Sequence, residues 1–180
     1  GRPLTEEEII DIAKDDVVGI IIGVDPLPAF VLEQLKGLKA ISKYGVGMDN
    51  IALDKAAQLG IKVKNATGTN NISVAELTIA LIFTLARWIP QNSSLVRNAN
   101  PTRISGFELT GKRLGLVGGG MIGREVAKRA RGLEMKVSIF DPYFRYDSFL
   151  EQYGIDKLDT LDALLEKSDV VSLHVPATPE

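Results

Sequence analysis

The chain has 180 residues, of which 45% are hydrophobic and 24% charged, a balance typical of folded globular proteins and unlike that of disordered ones. Its 21 basic and 23 acidic residues give a formal net charge of −2 without a long Lys/Arg run, so neither nucleic acid nor an anionic membrane surface is favoured as a partner. The absence of cysteine excludes disulfides, thiolate metal sites and a Cys nucleophile. We therefore expect a cytoplasmic protein with a small-molecule partner and no bound metal.

The first 72 residues alternate predicted helices and strands. Thr5 and Glu8 predict the start of a first helix, because an N-cap Thr with a Glu three residues on forms a capping box. Three short apolar or β-branched runs predict strands, and two segments with helical spacing and a glycine stop lie between them: strands at 17–24, 38–45 and 60–66, helices within 28–37 and 52–60. This alternation predicts a parallel α/β layer with a thin sheet.

A long apolar helix is predicted next. Ser73 suits its N-cap and Glu76 its third helical position. The helix is apolar nearly all round as far as Ile89, which predicts burial between two bodies. Pro90 should interrupt it, and a polar linker follows at 100–106. Its apolar core, LTIALIFTLA, is about half of the ~20 residues that a membrane-spanning helix needs.

The last block repeats the α/β pattern. It predicts strands at 112–117, 136–140, 155–158 and 169–175, with helices at 121–131 and 161–167. A boundary near residue 72 then gives two domains, 1–72 and 73–180, with the long helix joining them.

A glycine fingerprint, Gly118-x-Gly120-x-x-Gly123, follows the first of these strands and opens a helix. In this context Gly118 would permit the tight turn, Gly120 the close approach of backbone to a pyrophosphate, and Gly123 the packing of helix on strand. The unpaired N–H groups at the helix start would face the phosphates. The alternative is a glycine-rich turn without a ligand.

Asp141 ends the next predicted strand, 18 residues after Gly123. This is close to the ~20 residues expected for a carboxylate that binds the adenine ribose hydroxyls. A carboxylate there also repels a 2′-phosphate, so NAD is favoured over NADP. The alternative interpretation of Asp141 is an ordinary turn residue before Pro142.

The whole chain resembles the D-isomer-specific 2-hydroxyacid dehydrogenases, closest to their phosphoglycerate dehydrogenase branch. Four motifs in order carry the resemblance: KYGVGMDNI (43–51), SVAELTIALIFTLAR (73–87), GFELTGKRLGLVGGGMIGREVA (106–127) and DVVSLHVPATPE (169–180). It implies part of a flavodoxin-like substrate domain followed by part of a Rossmann doubly wound parallel sheet. It also implies NAD and a 2-hydroxy or 2-keto acid as ligands, and a homodimer.

The resemblance also implies site residues. The backbone N–H groups of Gly45, Val46 and Gly47 would receive the substrate carboxylate, a role that glycine-rich backbone can perform. The alternative for this loop is a tight turn after a strand. Further positions would line the cofactor: Val46 at the nicotinamide, Met121 and Ile122 at the pyrophosphate, Val175 at the adenosine, and His174 and Pro176 also on the cofactor side.

Gly119 and Ala52 depart from the family pattern, which usually has a larger residue and an Asp there. Lys43 occupies a position that is often basic in the family. It could help to hold a substrate phosphate, but a solvated surface lysine is the favoured interpretation.

His174 is the only histidine, and a hydroxy-acid dehydrogenase needs a general base. Without the resemblance, His174 would be the candidate for that base. The family's catalytic Arg, Glu and His all lie downstream of the segment LHVP, so we expect no catalytic residue in this chain and a structural or cofactor-side role for His174.

The leading hypothesis is therefore part of an NAD-dependent D-2-hydroxyacid dehydrogenase that lacks the family's catalytic trio. A non-catalytic NAD-binding regulatory module of the corepressor type is the alternative, and an unrelated Rossmann protein is the third possibility.

Overall fold

The computed structural model describes residues 2–14 and 16–176. The chain divides into two compact units, one ending at Asn70 and the other beginning at Asn71. Each unit contains its own parallel sheet and its own hydrophobic core.

The first unit is a three-stranded parallel sheet in the order β1-β2-β3 with three short helices. The strands are β1 (Gly19–Ile22), β2 (Ala40–Lys43) and β3 (Lys62–Asn65), and the helices are α1 (Glu6–Ala13), α2 (Ala29–Gln34) and α3 (Leu53–Gln58). The capping box predicted at Thr5 and Glu8 is present. Apolar side chains from the helices and strands, such as Leu32 and Ile41, form the buried core.

The second unit contains a four-stranded parallel sheet in the order β6-β5-β4-β7. Its strands are β4 (Arg113–Val117), β5 (Lys136–Phe140), β6 (Asp156–Leu158) and β7 (Val170–Leu173). Its helices are α4 (Asn71–Ala86), α5 (Ile89–Arg97), α6 (Met121–Gly132), α7 (Ser148–Tyr153) and α8 (Leu161–Lys167). The predicted parallel α/β fold is thus confirmed.

The strand order creates a switch point at β4. The chain runs from β4 to β5 and β6 on one side and then returns to β7 on the other side of β4. In open α/β sheets, ligands bind at the carboxyl ends of the strands where the order reverses in this way. The residues that follow β4 and β7 are therefore the candidates for a ligand site.

The helix α4 begins earlier than the sequence predicts. Its first residue is Asn71, so Ser73 lies inside the first turn and the predicted N-cap at Ser73 is wrong. Glu76 lies in the second turn of the helix rather than at its third position. Its carboxylate instead lies 3.6 Å from the Nη2 atom of Arg129 on α6, the helix against which α4 packs.

The predicted interruption at Pro90 is confirmed. Proline has no N–H and its ring clashes with the carbonyl four residues earlier, which is that of Ala86, the last residue of α4. Trp88 adopts a left-handed conformation (φ 53°), and α5 starts at Ile89. The carbonyl of Ala86 accepts a hydrogen bond from the N–H of Phe107 instead.

All-round burial of α4 is wrong for the single chain. Ala75, Ile82 and Ala86 are buried on the side that packs against the second core. A row on another side remains solvent-exposed: Leu77 (59%), Leu81 (52%) and Leu85 (73%). Because the helix has no polar face, the sequence could not indicate which side is covered.

Among the described residues, no single helix is long and apolar enough to cross a membrane. The helices α4 and α5 reach that length and apolarity only as a pair, and the pair is bent by 61° at its break.

Candidate functional site

The glycine turn lies between β4 and α6, at the switch point. Gly118 has φ +105°, a conformation that L side chains rarely adopt, and a Cβ there would lie 2.5 Å from the carbonyl oxygen of His174. A Cβ on Gly123 would lie 2.2 Å from the carbonyl oxygen of Gly118. Both positions therefore require glycine, the first for the turn and the second for close packing of α6 on the turn.

The start of α6 suits an anion. Gly120 is the N-cap, no side chain of the described residues caps the helix, and its first turn contains no acidic residue. Four N–H groups at a helix start lack partners within the helix, and the dipole adds partial positive charge. Within the described chain no heavy atom lies within 4 Å of a Cβ built on Gly120, so a ligand could approach the backbone there. These features fit a pyrophosphate.

Asp141 follows β5 and its carboxylate lies beside the turn. One oxygen, Oδ2, accepts a hydrogen bond from the N–H of Gly119 at 2.9 Å, and Oδ1 accepts one from the N–H of Tyr143 at 2.9 Å. The carboxylate is thus fixed in orientation at the edge of the turn and is only partly buried. The remaining lone pairs of its two oxygens suit the hydroxyls of a ribose.

His174 follows β7 on the other side of β4. Its backbone N–H donates to the carbonyl of Val117 at 2.8 Å, and its ring Nε2 lies 3.1 Å from the hydroxyl of Ser172. Burial lowers the pKa of His174. The structure therefore brings His174 and the exposed Val175 next to Gly118, whereas Pro176 is the last residue described.

The loop Gly45–Val46–Gly47 lies in the first unit, directly after β2. The carbonyl of Gly45 accepts from the N–H of Ala66 at 3.0 Å, and the carbonyl of Val46 accepts from Nδ2 of Asn65 at 2.7 Å. In a trans peptide the N–H points away from the preceding carbonyl. The N–H groups of Val46 and Gly47 are therefore turned away from β3, as a carboxylate-binding loop requires.

Lys43 is not a surface residue, so the favoured interpretation from sequence is wrong. Its side chain is buried (6% exposed), and its ammonium group donates to the carbonyl of Gly23 and, at 2.7 Å, to Oδ1 of Asn50. Asn50 in turn donates to the carbonyl of Asp25 at 2.6 Å. Lys43 is the last residue of β2 and Asn50 follows the loop, so these bonds tie both ends of the loop to the segment that follows β1.

Residues 79–180, more than half of the chain, match the NAD-binding domain of the D-isomer specific 2-hydroxyacid dehydrogenases. The chain belongs to this family. Since the matched region is the NAD-binding domain of the D-2-hydroxyacid dehydrogenases, the cofactor is NAD. The last four residues of the motif DVVSLHVPATPE lie outside the described residues.

Individual relatives match nearly the whole chain. It is 38% identical over 179 residues to D-3-phosphoglycerate dehydrogenase of Methanocaldococcus jannaschii, covering 98% of this chain and 34% of the relative. It is 38% identical over 177 residues to hydroxypyruvate reductase of Thermotoga maritima, covering 97% and 56%. The structure is similar to that of Escherichia coli D-lactate dehydrogenase, with a TM-score of 0.84 and 34% identity over 98% of this chain and 56% of that one. The chain thus spans between a third and about half the length of these relatives.

Two residues beside the turn, Arg124 and Phe144, were not predicted from the sequence. The guanidinium of Arg124 lies 4.7 Å from the ring centre of Phe144 and pairs with the carboxylate of Asp147, whose pKa it lowers. Phe144 lies against Gly119. An Arg in the first turn of α6 and an aromatic residue three positions after Asp141 were the available signals. Among the described residues no group of three potential ligands could hold a metal ion.

Proposed function

We propose that this chain is part of an NAD-dependent oxidoreductase of D-2-hydroxy acids that resembles phosphoglycerate dehydrogenase. The reaction would transfer hydride between NAD and a 2-hydroxy or 2-keto acid. Family membership and the dehydrogenase and reductase activities of the relatives support this proposal. The observation on which the proposal rests is that the carboxylate of Asp141 accepts a hydrogen bond from the glycine turn at the switch point of the sheet.

The residues around this turn have separate roles in the proposal. The N–H groups at the start of α6, including those of Met121 and Ile122, bind the pyrophosphate together with the glycine turn. Asp141 binds the adenine ribose. His174, Val175 and Pro176 follow β7 beside the turn and contact the adenosine side of the cofactor. When bound, NAD supplies the carbon that accepts or donates the hydride.

The substrate carboxylate binds to the loop after β2. The N–H groups of Gly45, Val46 and Gly47 are the proposed donors, and Val46 also contacts the nicotinamide. Support comes from the two carbonyls of this loop, which are bonded to Asn65 and Ala66 and so turn the following N–H groups the other way. An anion that meets such donors needs little further reorganisation of the backbone.

No catalytic residue is assigned to the chain. His174 lies after β7 with its backbone bonded to β4 and its ring beside Ser172, a position on the cofactor side. The base that accepts the hydroxyl proton and the cation that polarises the substrate oxygen are proposed to lie in the family's Arg, Glu and His, downstream of the LHVP segment. This proposal also includes a cytoplasmic location, which the absence of cysteine favours.

A homodimer is proposed with α4 at the contact. Leu77, Leu81 and Leu85 lie four residues apart and form one exposed apolar row. Single exposed leucines are common, but a row of three along one helix favours a partner surface. Light scattering of the longer protein of which this chain is proposed to be a part tests this, and a monomeric mass at all concentrations would contradict it.

The activity is tested with the longer protein of which this chain is proposed to be a part, using NAD and a panel of D-2-hydroxy acids that includes D-3-phosphoglycerate, D-glycerate and D-lactate. We expect NADH formation with at least one of them and a strong preference for D over L isomers. Tight NADH binding without turnover on any acid would favour the regulatory module instead. Absence of NADH binding would contradict both.

A further inference from the structure

Gly119 is enclosed on three sides. Its N–H donates to Oδ2 of Asp141 at 2.9 Å, and its carbonyl accepts from Nε of Arg124 at 3.3 Å. A Cβ built on it would lie 2.7 Å from Cδ2 and 2.8 Å from Cγ of Phe144, closer than a Cβ atom comes to a non-bonded carbon atom. The third glycine of the turn is therefore in contact with the loop that follows β5.

The backbone does not explain why position 119 is glycine. Gly118 has a positive φ that favours glycine, whereas Gly119 is absent from the glycines with positive φ in the described chain. The ring of Phe144 is the element that excludes a side chain there. The contacting atoms are at the base of the ring, so a small rotation of the ring would not relieve the clash.

Phe144 is itself held in place. The guanidinium of Arg124 lies 4.7 Å from its ring centre and 5.0 Å from that of Phe149, within the range of cation–π contacts. The carboxylate of Asp147 pairs with the same guanidinium, and the N–H of Phe144 donates to the carbonyl of Asp141 at 3.2 Å. The ring also packs against the core of the second unit.

We propose that Phe144 is a positioning residue for the NAD site: its ring provides the apolar cover of the glycine turn that a side chain at position 119 would otherwise supply. Phe144 thereby links the two parts of the site: its backbone N–H donates to the carbonyl of Asp141, which serves the ribose, and its ring lies against Gly119, next to Gly120, which serves the pyrophosphate. The two halves of the adenosine diphosphate site then keep a fixed separation. This inference rests on the proposed cofactor contacts of those residues.

The first experiment needs no cofactor. Amide hydrogen exchange at Gly119 is measured by NMR in the 180-residue chain and in its Phe144→Ala, Phe144→Tyr and Tyr146→Ala variants. We expect exchange at Gly119 to accelerate about tenfold in Phe144→Ala, because the cover of its hydrogen bond to Asp141 is lost. Phe144→Tyr keeps the ring, so exchange at Gly119 in this variant should be as slow as in the unsubstituted chain. Tyr146, an exposed aromatic residue in the same loop, is the matched control.

The second experiment is a double-mutant cycle in NADH affinity, measured by calorimetry. Gly119→Ala and Phe144→Ala should each weaken NADH binding. The fold-loss of affinity caused by Gly119→Ala should be about ten times smaller when residue 144 is already alanine. Effects that simply multiply, or parent-like exchange and affinity in Phe144→Ala, would overturn the inference. If the parent chain does not bind NADH, the proposed cofactor site fails, while the exchange at Gly119 still decides whether Phe144 holds the turn.

Discussion

The carboxylate of Asp141 accepts a hydrogen bond from the backbone N–H of Gly119, with 2.9 Å between Oδ2 and N. Twenty-two residues separate these two groups along the chain, and the adjacent strands β4 and β5 bring them together. The bond gives Asp141 two tasks in the proposed site, since it fixes the turn and presents lone pairs to the ribose. Removing the Asp141 side chain should therefore weaken cofactor binding in two ways, through the turn and through the ribose.

The first prediction concerns Asp141→Ala. We expect the affinity of the chain for NADH to fall about tenfold or more, because a hydrogen bond to a charged group contributes about 1.5–3 kcal/mol. Calorimetric titration measures it. Asp162→Ala, which removes an exposed carboxylate in the first turn of α8, is the control and should bind NADH as the parent does. Equal affinity of Asp141→Ala and parent would remove Asp141 from the site.

The second prediction concerns cofactor choice. The charge of Asp141 repels a 2′-phosphate, so the parent should bind NADH more tightly than NADPH. Asp141→Asn keeps the size of the side chain and an acceptor for Gly119 but removes the charge. We expect the preference for NADH to shrink about tenfold in this variant, from a higher affinity for NADPH. A parent that binds both cofactors equally would show that the carboxylate points elsewhere.

Local patterns predicted much of this site. The glycines of the turn and Asp141 follow strands that are visible as short apolar runs, and their spacing is set by one strand–helix–strand unit, so the sequence contains the whole signal. The interruption at Pro90 was predictable for the same reason, because proline acts on the four residues before it, although α4 ends at Ala86 rather than at Ile89. Even the unpredicted α7 has local signals, an N-cap at Asp147 and a left-handed Gly154 at its end.

Features that depend on distant residues could not be predicted. Lys43 is buried and its ammonium group donates a hydrogen bond to the carbonyl of Gly23, 20 residues earlier, and nothing near Lys43 in the sequence indicates this. Phe144 contacts Gly119 only because β5 lies beside β4. The exposed leucines of α4 are a third example, since an apolar helix does not reveal which of its sides has a neighbour.

The third prediction concerns the polar cluster beneath the loop. Lys43→Met should lower the free energy of unfolding by about 1.5–3 kcal/mol, because the acceptors on Gly23 and Asn50 lose a charged donor in a buried place. Urea denaturation followed by circular dichroism measures this. Lys64→Met on the neighbouring strand β3 removes an exposed lysine and should change stability little. Equal stabilities of the two variants would contradict the role of Lys43.

The fourth prediction follows from the lowered pKa of His174. Burial favours the neutral ring, so the unfolded chain takes up a proton at a higher pH than the folded chain does. The contribution of His174 to stability is fully present above its unfolded pKa of about 6.5 and is lost as the pH falls below it. His174→Asn removes this effect. Its melting temperature relative to the parent should rise as the pH is lowered from about 7.5 to about 5.5, and an unchanged difference would contradict the prediction.

The last prediction is that the 180-residue chain alone has no dehydrogenase turnover, although it binds NADH. Oxidation of a hydroxy acid leaves a proton that a positioned base must accept, and such a base contributes about 10²- to 10⁴-fold to the rate. Stabilisation of charge on the substrate oxygen contributes a comparable factor. The proposed donors of both effects are the family's downstream residues, whereas the only histidine, His174, has its ring beside Ser172 and its backbone bonded to Val117.

The measurement follows NADH formation by the purified chain with the same panel of D-2-hydroxy acids, at enzyme concentrations high enough to detect a single turnover. A His174→Ala variant is assayed in parallel, and NADH titration of both proteins shows whether the cofactor site is intact. We expect binding without turnover in both. Turnover by the unsubstituted chain that is abolished in His174→Ala, with NADH affinity retained, would make His174 the base.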